Sequence, residues 1–99
     1  MSLRLKIQDP ALKDLARITG YIARQNKDWT VARRFGRRLV ERCIELRNAP
    51  GAGAPSAFGP EVRKINEGAY KIYYRVENGR VSILRIWDGR RGTEPRLDA

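Results

Sequence analysis

Positively charged and aromatic side chains are interleaved along residues 63–91, and they are the residues best suited to chemistry. They are Arg63, Lys64, Tyr70, Lys71, Tyr73, Tyr74, Arg75, Arg85, Arg90 and Arg91. On one face of a sheet, such residues can contact phosphates and stack nucleic-acid bases on their tyrosine rings. The alternative is equally physical: the tyrosines form ordinary cross-strand core pairs, and the charges are solvated. Composition alone favours this second interpretation.

Groups that usually perform acid–base or metal chemistry are scarce in this sequence. Histidine is absent, which excludes imidazole catalysis, and with a single cysteine, Cys43, a zinc site is not expected. No pair of carboxylates stands out, and the glycines of 51–55 lack the strand-to-helix setting of a phosphate loop. We therefore expect no cofactor and no metal.

The charge of the chain indicates an acidic partner. Its 99 residues contain 21 Lys and Arg against 11 Asp and Glu, a net charge of +10. A nucleic acid, an acidic protein segment and an anionic membrane surface all fit that charge. One cysteine, no signal peptide and no apolar run of about 20 residues make the reducing cytoplasm the expected location. The length predicts one domain, 1–99.

The elements that must position these side chains begin with a β-hairpin over residues 70–91. Asn78-Gly79 suits a two-residue type I′ turn between two runs rich in Tyr, Ile and Val. A two-residue turn fixes the pairing: Val76 with Val81, Tyr74 with Ile83, Ile72 with Arg85 and Tyr70 with Trp87. Residues 88–99 form a basic tail that we expect to be loosely ordered unless a partner binds it.

Two amphipathic helices precede the hairpin. Asp9 and Pro10 suit the start of the first helix, Asp as its cap and Pro at its first position. Its predicted buried face is Ala11, Leu12, Leu15, Ala16, Ile18 and Ile22. Asp28 or Thr30 caps the second helix, whose apolar stripe is Ala32, Phe35, Leu39, Cys43 and Leu46. Cys43 is therefore interpreted as a core residue.

Further strands and a long loop complete the chain. Leu3, Leu5 and Ile7 alternate with polar residues and predict a short strand. Residues 48–60 form a loop rich in Pro, Gly and Ala, and residues 61–67 resume as a strand. The order strand–helix–helix–strand–strand–strand predicts an α+β fold, with the helical hairpin packed on an antiparallel sheet.

These elements and their residues resemble the RelE/ParE superfamily of bacterial toxins, and within it the ParE branch. The resemblance covers about residues 5–91. It rests on an ordered set of residues: Ala11, Asp14-Leu15, Ile18, Tyr21-Ile22, Asn26, Ala32, Phe35, Leu39, Pro50-Gly51, Arg63, Tyr70, Ile72, Tyr74-Arg75-Val76, Ile83-Leu84-Arg85-Ile86 and Gly89-Arg90-Arg91. The ordered set is more specific than any one of its motifs.

The resemblance implies the toxin of a type II toxin–antitoxin system, neutralised by a ParD-like antitoxin. ParE-like toxins bind DNA gyrase, whereas RelE-like toxins cut mRNA in the ribosome with Lys, Arg and usually a Tyr near the C-terminus. Here no Tyr follows Tyr74, Lys71 replaces a common RelE-like Arg, and Asp88 stands where many ParE-like chains carry His. We expect a gyrase-binding inhibitor; the alternatives are an mRNA endonuclease and a non-toxic interaction module of the same fold.

The predicted binding residues fall into two sets. Target binding is assigned to Arg63, Arg75, Arg85, Trp87, Arg90 and Arg91. Antitoxin binding is assigned to Arg33, Arg34, Arg37, Arg38 and Tyr70. The reason is that the helical hairpin offers Arg-rich and apolar surface to an acidic amphipathic segment. For the arginines of the second helix the alternative is a plain solvated face, and for Arg85 it is a structural ion pair at the rim of the core.

Overall fold

Five strands and two α-helices build the part of the chain that the computed structural model describes, residues 3–97. In chain order they are β1 (Arg4–Ile7), α1 (Asp9–Asn26), α2 (Trp29–Glu45), β2 (Ala54–Ser56), β3 (Gly59–Glu67), β4 (Tyr70–Glu77) and β5 (Arg80–Asp88). The sheet order is β1-β5-β4-β3-β2, with β1 parallel to β5 and the other neighbours antiparallel. The predicted α+β fold is confirmed, and the parallel pair and β2 add to it.

The hairpin of β4 and β5 keeps the predicted pairing near its turn and loses it farther away. Asn78 and Gly79 take positive φ angles of 52° and 72°, as a type I′ turn requires, and Tyr74 pairs with Ile83. Beyond that point Leu84 has no partner in the ladder, so that Tyr73 pairs with Arg85, Ile72 with Ile86 and Tyr70 with Asp88. The predicted pairs Ile72–Arg85 and Tyr70–Trp87 are therefore wrong. This bulge lets Ile83 and Ile86 both enter the core, which strict alternation would forbid.

The core lies between the helices and the sheet face that carries Ile72 and Tyr74. The predicted stripe of α2 is confirmed, because Ala32, Leu39, Cys43 and Leu46 are fully buried and Phe35 packs against them partly buried. On α1 the predicted face is too wide. Leu12 is 46% exposed and Ala16 is exposed, whereas the carboxylate of Asp14 is buried.

The predicted cap of α2 is confirmed, whereas the predicted cap of α1 is wrong. Asp9 is not the cap of α1: the helix begins with Asp9 itself, and Gln8 precedes it without a side-chain hydrogen bond. Asp28 does cap α2, since its carboxylate accepts a 2.8 Å hydrogen bond from the Thr30 amide. Gly36 allows the two helices to approach, because a Cβ there would lie 2.9 Å from the Thr19 methyl group.

The predicted loop 48–60 contains structure of its own. Pro50–Ala52 form a 3₁₀ turn, β2 follows, and β3 begins at Gly59 instead of residue 61. The Tyr74 hydroxyl donates to the Pro50 carbonyl at 2.7 Å and accepts from the Gly53 amide at 2.9 Å. Arg63 adds a 2.7 Å hydrogen bond to the Gly53 carbonyl. A Cβ on Gly53 would lie 2.6 Å from the Tyr74 hydroxyl oxygen. The loop is thus fixed to the sheet through Tyr74.

A buried carboxylate closes the sheet edge that β1 leaves open. The ladder between β1 and β5 ends at the pair Ile7–Ile83. Farther along, Asp14 on α1 accepts a 3.0 Å hydrogen bond from the Ile86 amide. The same carboxylate binds the Arg85 guanidinium through two bonds, Nε–Oδ2 at 2.7 Å and Nη2–Oδ1 at 2.9 Å. Asp14 thereby takes the place of a strand neighbour for β5 and joins helix to sheet.

The hydrogen bonds of Asp14 decide its charge state. Burial alone would raise the pKa of this carboxyl, but the donors from Arg85, the Ile86 amide and Arg17 outweigh burial and hold the pKa below its ordinary value. The side chain is 1% exposed and that of Arg85 is 12% exposed. Asp14 is therefore an ionised, fully paired carboxylate inside the protein.

Replacing Asp14 with Ala should lower the free energy of unfolding by about 3–5 kcal/mol, because it leaves the Arg85 guanidinium buried without its partner. Urea denaturation at pH 7 measures this loss. The matched control is Asp9→Ala at the exposed start of the same helix, where we expect a loss below about 1 kcal/mol. Similar losses in the two variants would contradict the role given to the ion pair.

The same pair predicts an acid-sensitive stability. The pKa of Asp14 is lower in the folded protein than in the unfolded chain, where it is about 3.9. Above that pH the ion pair contributes fully to the free energy of unfolding. That contribution is lost as the pH falls through the lower folded pKa. The free energy of unfolding, measured by urea denaturation at pH values from 7 to 2, should therefore fall more steeply with decreasing pH for the wild type than for Asp14→Ala.

Candidate functional site

The far end of the hairpin gathers aromatic and basic side chains around Trp87. Its ring lies between two guanidinium groups, with the Arg91 carbon 4.7 Å and the Arg85 carbon 5.4 Å from the ring centre. The indole N–H donates a 2.8 Å hydrogen bond to the Thr93 carbonyl. Cation–π contacts of this kind stabilise by about 0.5–1 kcal/mol at exposed sites. Trp87 therefore holds the start of the tail against the end of β5.

The tail continues across the sheet face that does not carry the helices. The Tyr73 hydroxyl donates to the Glu94 carboxylate, and Arg85 donates to the Arg96 carbonyl. Pro95 is buried, and the Phe58 ring meets the Tyr73 ring edge-on at 5.7 Å. Residues 89–97 thus contact the sheet, while residues 98 and 99 of the predicted tail lie outside the described residues. Whether a partner is needed to order the tail stays a prediction.

A cavity of about 400 Å³ opens between α1 and the end of the hairpin. Its lining combines three guanidinium groups with apolar and aromatic surface: Arg17, Ile18, Tyr21, Arg24, Tyr70, Asp88 and Arg91. Asp88 is paired with Arg90 through contacts of 2.9 Å, and the hydrogen bond from Arg90 holds the pKa of Asp88 below its ordinary value. The remaining cationic lining makes this cavity suited to anionic groups.

An apolar groove of about 350 Å³ continues from this cavity towards α2. It is lined by Tyr21, Ile22, Gln25, Asn26, Val31, Phe35, Ala69, Tyr70 and Arg90. Phe35 and Tyr70 meet edge-on at 5.3 Å and form its floor, whereas Tyr21 and Val31 remain 49% and 37% exposed. Cavity and groove share Tyr21 and Tyr70, so they form one surface that is apolar in the middle and basic at the rim.

The structure brings together only part of the predicted target-binding set. Arg85, Trp87, Arg90 and Arg91 lie at the end of the hairpin, and Tyr70, predicted for the antitoxin, lies beside them, with Arg90 5.8 Å from its ring centre. Arg85 is the structural ion-pair member that its alternative role anticipated, and it is mostly buried. Its participation in target binding stays a prediction.

Two other members of that set lie elsewhere. Arg63 is paired with Tyr74 across the strands and holds the Gly53 loop. Arg75 is close to the hairpin turn, where its guanidinium binds Glu77 at 2.7 Å. Neither contacts the surface around Trp87, and a role for them in target binding stays a prediction.

Of the four arginines of α2 that were predicted to bind the antitoxin, three line one depression, and none lines the groove. Arg33, Arg34 and Arg37 line a shallow depression of about 260 Å³ together with Thr30. This depression is separate from the groove, which α2 lines with Val31 and Phe35. All four arginines, Arg38 included, are exposed. Their predicted contact with an antitoxin remains untested.

Most residues that line the cavity and the groove were not predicted as site residues, and four polar or aromatic residues of this region were missed. Arg17, Tyr21 and Arg24 line the cavity, and Asp14 anchors its neighbour Arg85. The position of Asp14 carried a signal, since it falls three residues after Ala11 and four before Ile18 on the buried face. No comparable signal marks the other three, because their proximity to Tyr70 and Arg91 depends on how α1 crosses the sheet.

The tyrosines of the hairpin are poor candidates for a catalytic base. Burial raises the pKa of Tyr70, and burial together with the carboxylate of Glu94 raises that of Tyr73 well above its ordinary value. Within residues 3–97, no three His, Cys, Asp or Glu side chains come together as a metal site. Neither α-helix among these residues is long and apolar enough to cross a membrane.

A helical hairpin on a mostly antiparallel sheet, with a basic, partly apolar surface at one end, defines a small α+β domain. Comparison with protein families identifies it more closely. The protein-family model described as "ParE toxin of type II toxin-antitoxin system, parDE" matches residues 5–92 of this chain. The chain therefore belongs to the ParE toxin family of type II toxin–antitoxin systems, which confirms the resemblance found in the sequence.

Solved structures agree with this assignment. The chain is similar to one in the chromosomal ParDE toxin–antitoxin system of Pseudomonas aeruginosa, with 26% identity, a TM-score of 0.78 and coverage of 88% of this chain and 96% of that one. It is also similar in fold to a chain of the toxin–antitoxin complex RelBE2 of Mycobacterium tuberculosis. There the identity is 19%, the TM-score 0.65 and the coverage 89% of this chain and 99% of that one. The comparison with curated protein sequences found no match.

Replacing Tyr73 with Phe should loosen the tail, because it removes the hydroxyl that donates to Glu94. We expect a stability loss of about 1 kcal/mol and faster amide hydrogen exchange at residues 93–96, measured by mass spectrometry. The control is Tyr21→Phe, whose hydroxyl makes no hydrogen bond among residues 3–97. Unchanged exchange in the Tyr73 variant would show that this bond does not hold the tail.

Proposed function

We propose that this ParE-family chain is a toxin that inhibits DNA gyrase by binding it, and that a ParD-like antitoxin neutralises it. The observation that carries the proposal is the continuous surface of cavity and groove, apolar along Tyr21, Val31 and Phe35 and rimmed by Arg24 and Arg91. Such a surface suits an acidic amphipathic segment, whose apolar side chains enter the groove while its carboxylates meet the guanidinium rim. The similarity to a ParDE chain supports the same partner.

The target-facing part of the surface is proposed to be Trp87 with Arg90 and Arg91. These residues end β5 and begin the tail, and Arg90 and Arg91 are exposed. Arg91 lies over the Trp87 ring, whose indole N–H binds Thr93, and Arg90 lies over the Tyr70 ring. Aromatic and arginine side chains of this kind dominate binding energy at protein interfaces.

Neutralisation follows from overlap between the two surfaces. Arg90 lines the groove, and Arg91 lines the cavity that shares Tyr70 with it. A segment seated along cavity and groove would therefore cover the residues proposed to face the target. The negative charge of such a segment would also offset part of the net charge of +10.

The mRNA endonuclease alternative has less support. It would need a tyrosine or carboxylate as base beside a cationic group that stabilises the phosphate. Tyr73 has a raised pKa and donates to Glu94, and Arg85 is committed to Asp14. The likeness to RelBE2 concerns the fold. The non-toxic interaction module differs from the proposal only in its effect on cells, which the following experiment measures.

Expression of the chain without an antitoxin should arrest growth, induce the DNA-damage response and leave bulk mRNA intact. The double variant Arg90→Ala/Arg91→Ala should relieve the arrest at least tenfold in colony count, because it removes the two exposed guanidinium groups. The control is Arg4→Ala/Lys6→Ala, which removes two charges on exposed positions of β1 and should remain toxic.

The outcomes separate the three functions. Rapid ribosome-dependent mRNA cleavage after induction would replace the proposal with the endonuclease. Unimpaired growth at equal soluble expression would replace it with the interaction module. Full toxicity of the Arg90/Arg91 variant, accompanied by DNA damage, would keep the gyrase target and remove these residues from the binding surface.

A further inference from the structure

The outer side of α2 carries an unusual concentration of unpaired positive charge. Residues 29–40 contain four arginines and no acidic residue, and the first carboxylate of α2 is Glu41. Within residues 3–97, Arg33, Arg34 and Arg37 form no ion pair and no side-chain hydrogen bond. Arg17, Arg42, Arg75, Arg85 and Arg90, by contrast, all bind carboxylates. Solvated guanidinium groups thus share one helix face without internal partners.

This face is distinct from the groove proposed for the antitoxin. At 3.6 residues per turn, Arg33 and Arg37 each lie about 160° around the helix from Phe35, which lines the groove. A segment seated in the groove would therefore leave Arg33 and Arg37 open to another partner, whereas Arg34 lies about 100° from Phe35, nearer to the groove.

The lining of the depression indicates what that partner is. Only Thr30 and the three arginines line it, and their combined surface is mostly polar. The exposed Trp29 lies one helical turn before Arg33, outside the lining of the depression, where it could stack a base. Within the depression itself, an amphipathic protein segment would find no apolar pocket, and a single-stranded nucleic acid would find no aromatic ring on which to stack its bases. Phosphate groups require neither, since guanidinium forks bind them directly.

We propose that this outer face of α2, formed by Thr30, Arg33, Arg34 and Arg37, binds the phosphate backbone of duplex DNA without sequence preference. The backbone positions of the three arginines fall within about one helical turn, roughly 6 Å along the axis. They can therefore contact neighbouring phosphates of one backbone, and the hydroxyl of Thr30 can donate to another phosphate oxygen. The proposal goes beyond gyrase inhibition and does not depend on it.

The salt dependence of DNA binding tests this proposal, because each phosphate contact contributes about 0.9 to the slope of log K against log salt. The full chain is titrated onto a fluorescent duplex of about 30 random base pairs between 25 and 200 mM salt. For the variant Arg33→Ala/Arg34→Ala/Arg37→Ala, the magnitude of that slope should be smaller than for the wild type by about 2.7, which is three phosphate contacts. Because all three residues are exposed, the fold should be retained, and circular dichroism checks this.

The matched control removes three positive charges elsewhere, in Arg4→Ala/Lys6→Ala/Lys13→Ala. These residues are also exposed, and the variant has the same net charge as the α2 variant. We expect it to lose less than about 1 from the slope, through long-range attraction alone. Equal losses in the two triple variants, or no measurable binding to duplex DNA at 25 mM salt, would overturn the proposal.

Two further results would assign the face to another partner and so also overturn it. One is tighter binding to a single-stranded RNA of the same length than to the duplex. The other is an α2 variant with an unchanged DNA slope but weakened binding to the cognate antitoxin. Failure of gyrase inhibition with intact DNA binding would contradict only the proposed function.

Discussion

The carboxylate of Asp14 is the point at which the helical hairpin, the edge of the sheet and the end of the β-hairpin meet. It accepts hydrogen bonds from Arg17 on its own helix, from the Ile86 amide and from the guanidinium of Arg85. A buried charge is tolerated only when its partners replace the lost water. Here Arg17, Arg85 and the Ile86 amide donate the hydrogen bonds that water would otherwise supply. These bonds favour the charged carboxylate, which is why the pKa of Asp14 is lowered.

The proposed binding surface is connected to Asp14 through a chain of contacts. Arg85 is held by Asp14 on one side and lies 5.4 Å from the Trp87 ring on the other. Trp87 in turn contacts Arg91 and binds the tail at Thr93. The bulge at Leu84 is what places Ile86 in the core and Arg85 at the edge. A structural ion pair and a binding surface are therefore built from consecutive residues, which explains why Arg85 resembled a site residue in the sequence.

Features that depend on neighbouring residues in the sequence were predicted correctly. The Asn78-Gly79 turn, the stripe of α2 and the cap at Asp28 follow from backbone preference and periodicity, and all three are confirmed. The bulge could not be predicted, because it arises from the need to bury Ile83 and Ile86 together. Nor could the strand β2 or the contact of Tyr74 with the Pro50 loop, since these depend on tertiary packing. The cavity joins residues from α1 with the end of β5, and no sequence spacing encodes that crossing.

The ParE-family assignment and the surface of cavity and groove support the proposed function, in which the chain binds gyrase and does not cut RNA. The most direct measurement adds the purified chain to DNA gyrase, ATP and relaxed plasmid, and then counts gyrase-linked linear DNA after denaturation. If the chain inhibits gyrase, linear plasmid accumulates as the concentration of the chain increases, and a ParD-like antitoxin added first prevents this accumulation. Undiminished supercoiling and no linear DNA at excess chain, together with cleavage of mRNA on added ribosomes, would contradict the proposed function.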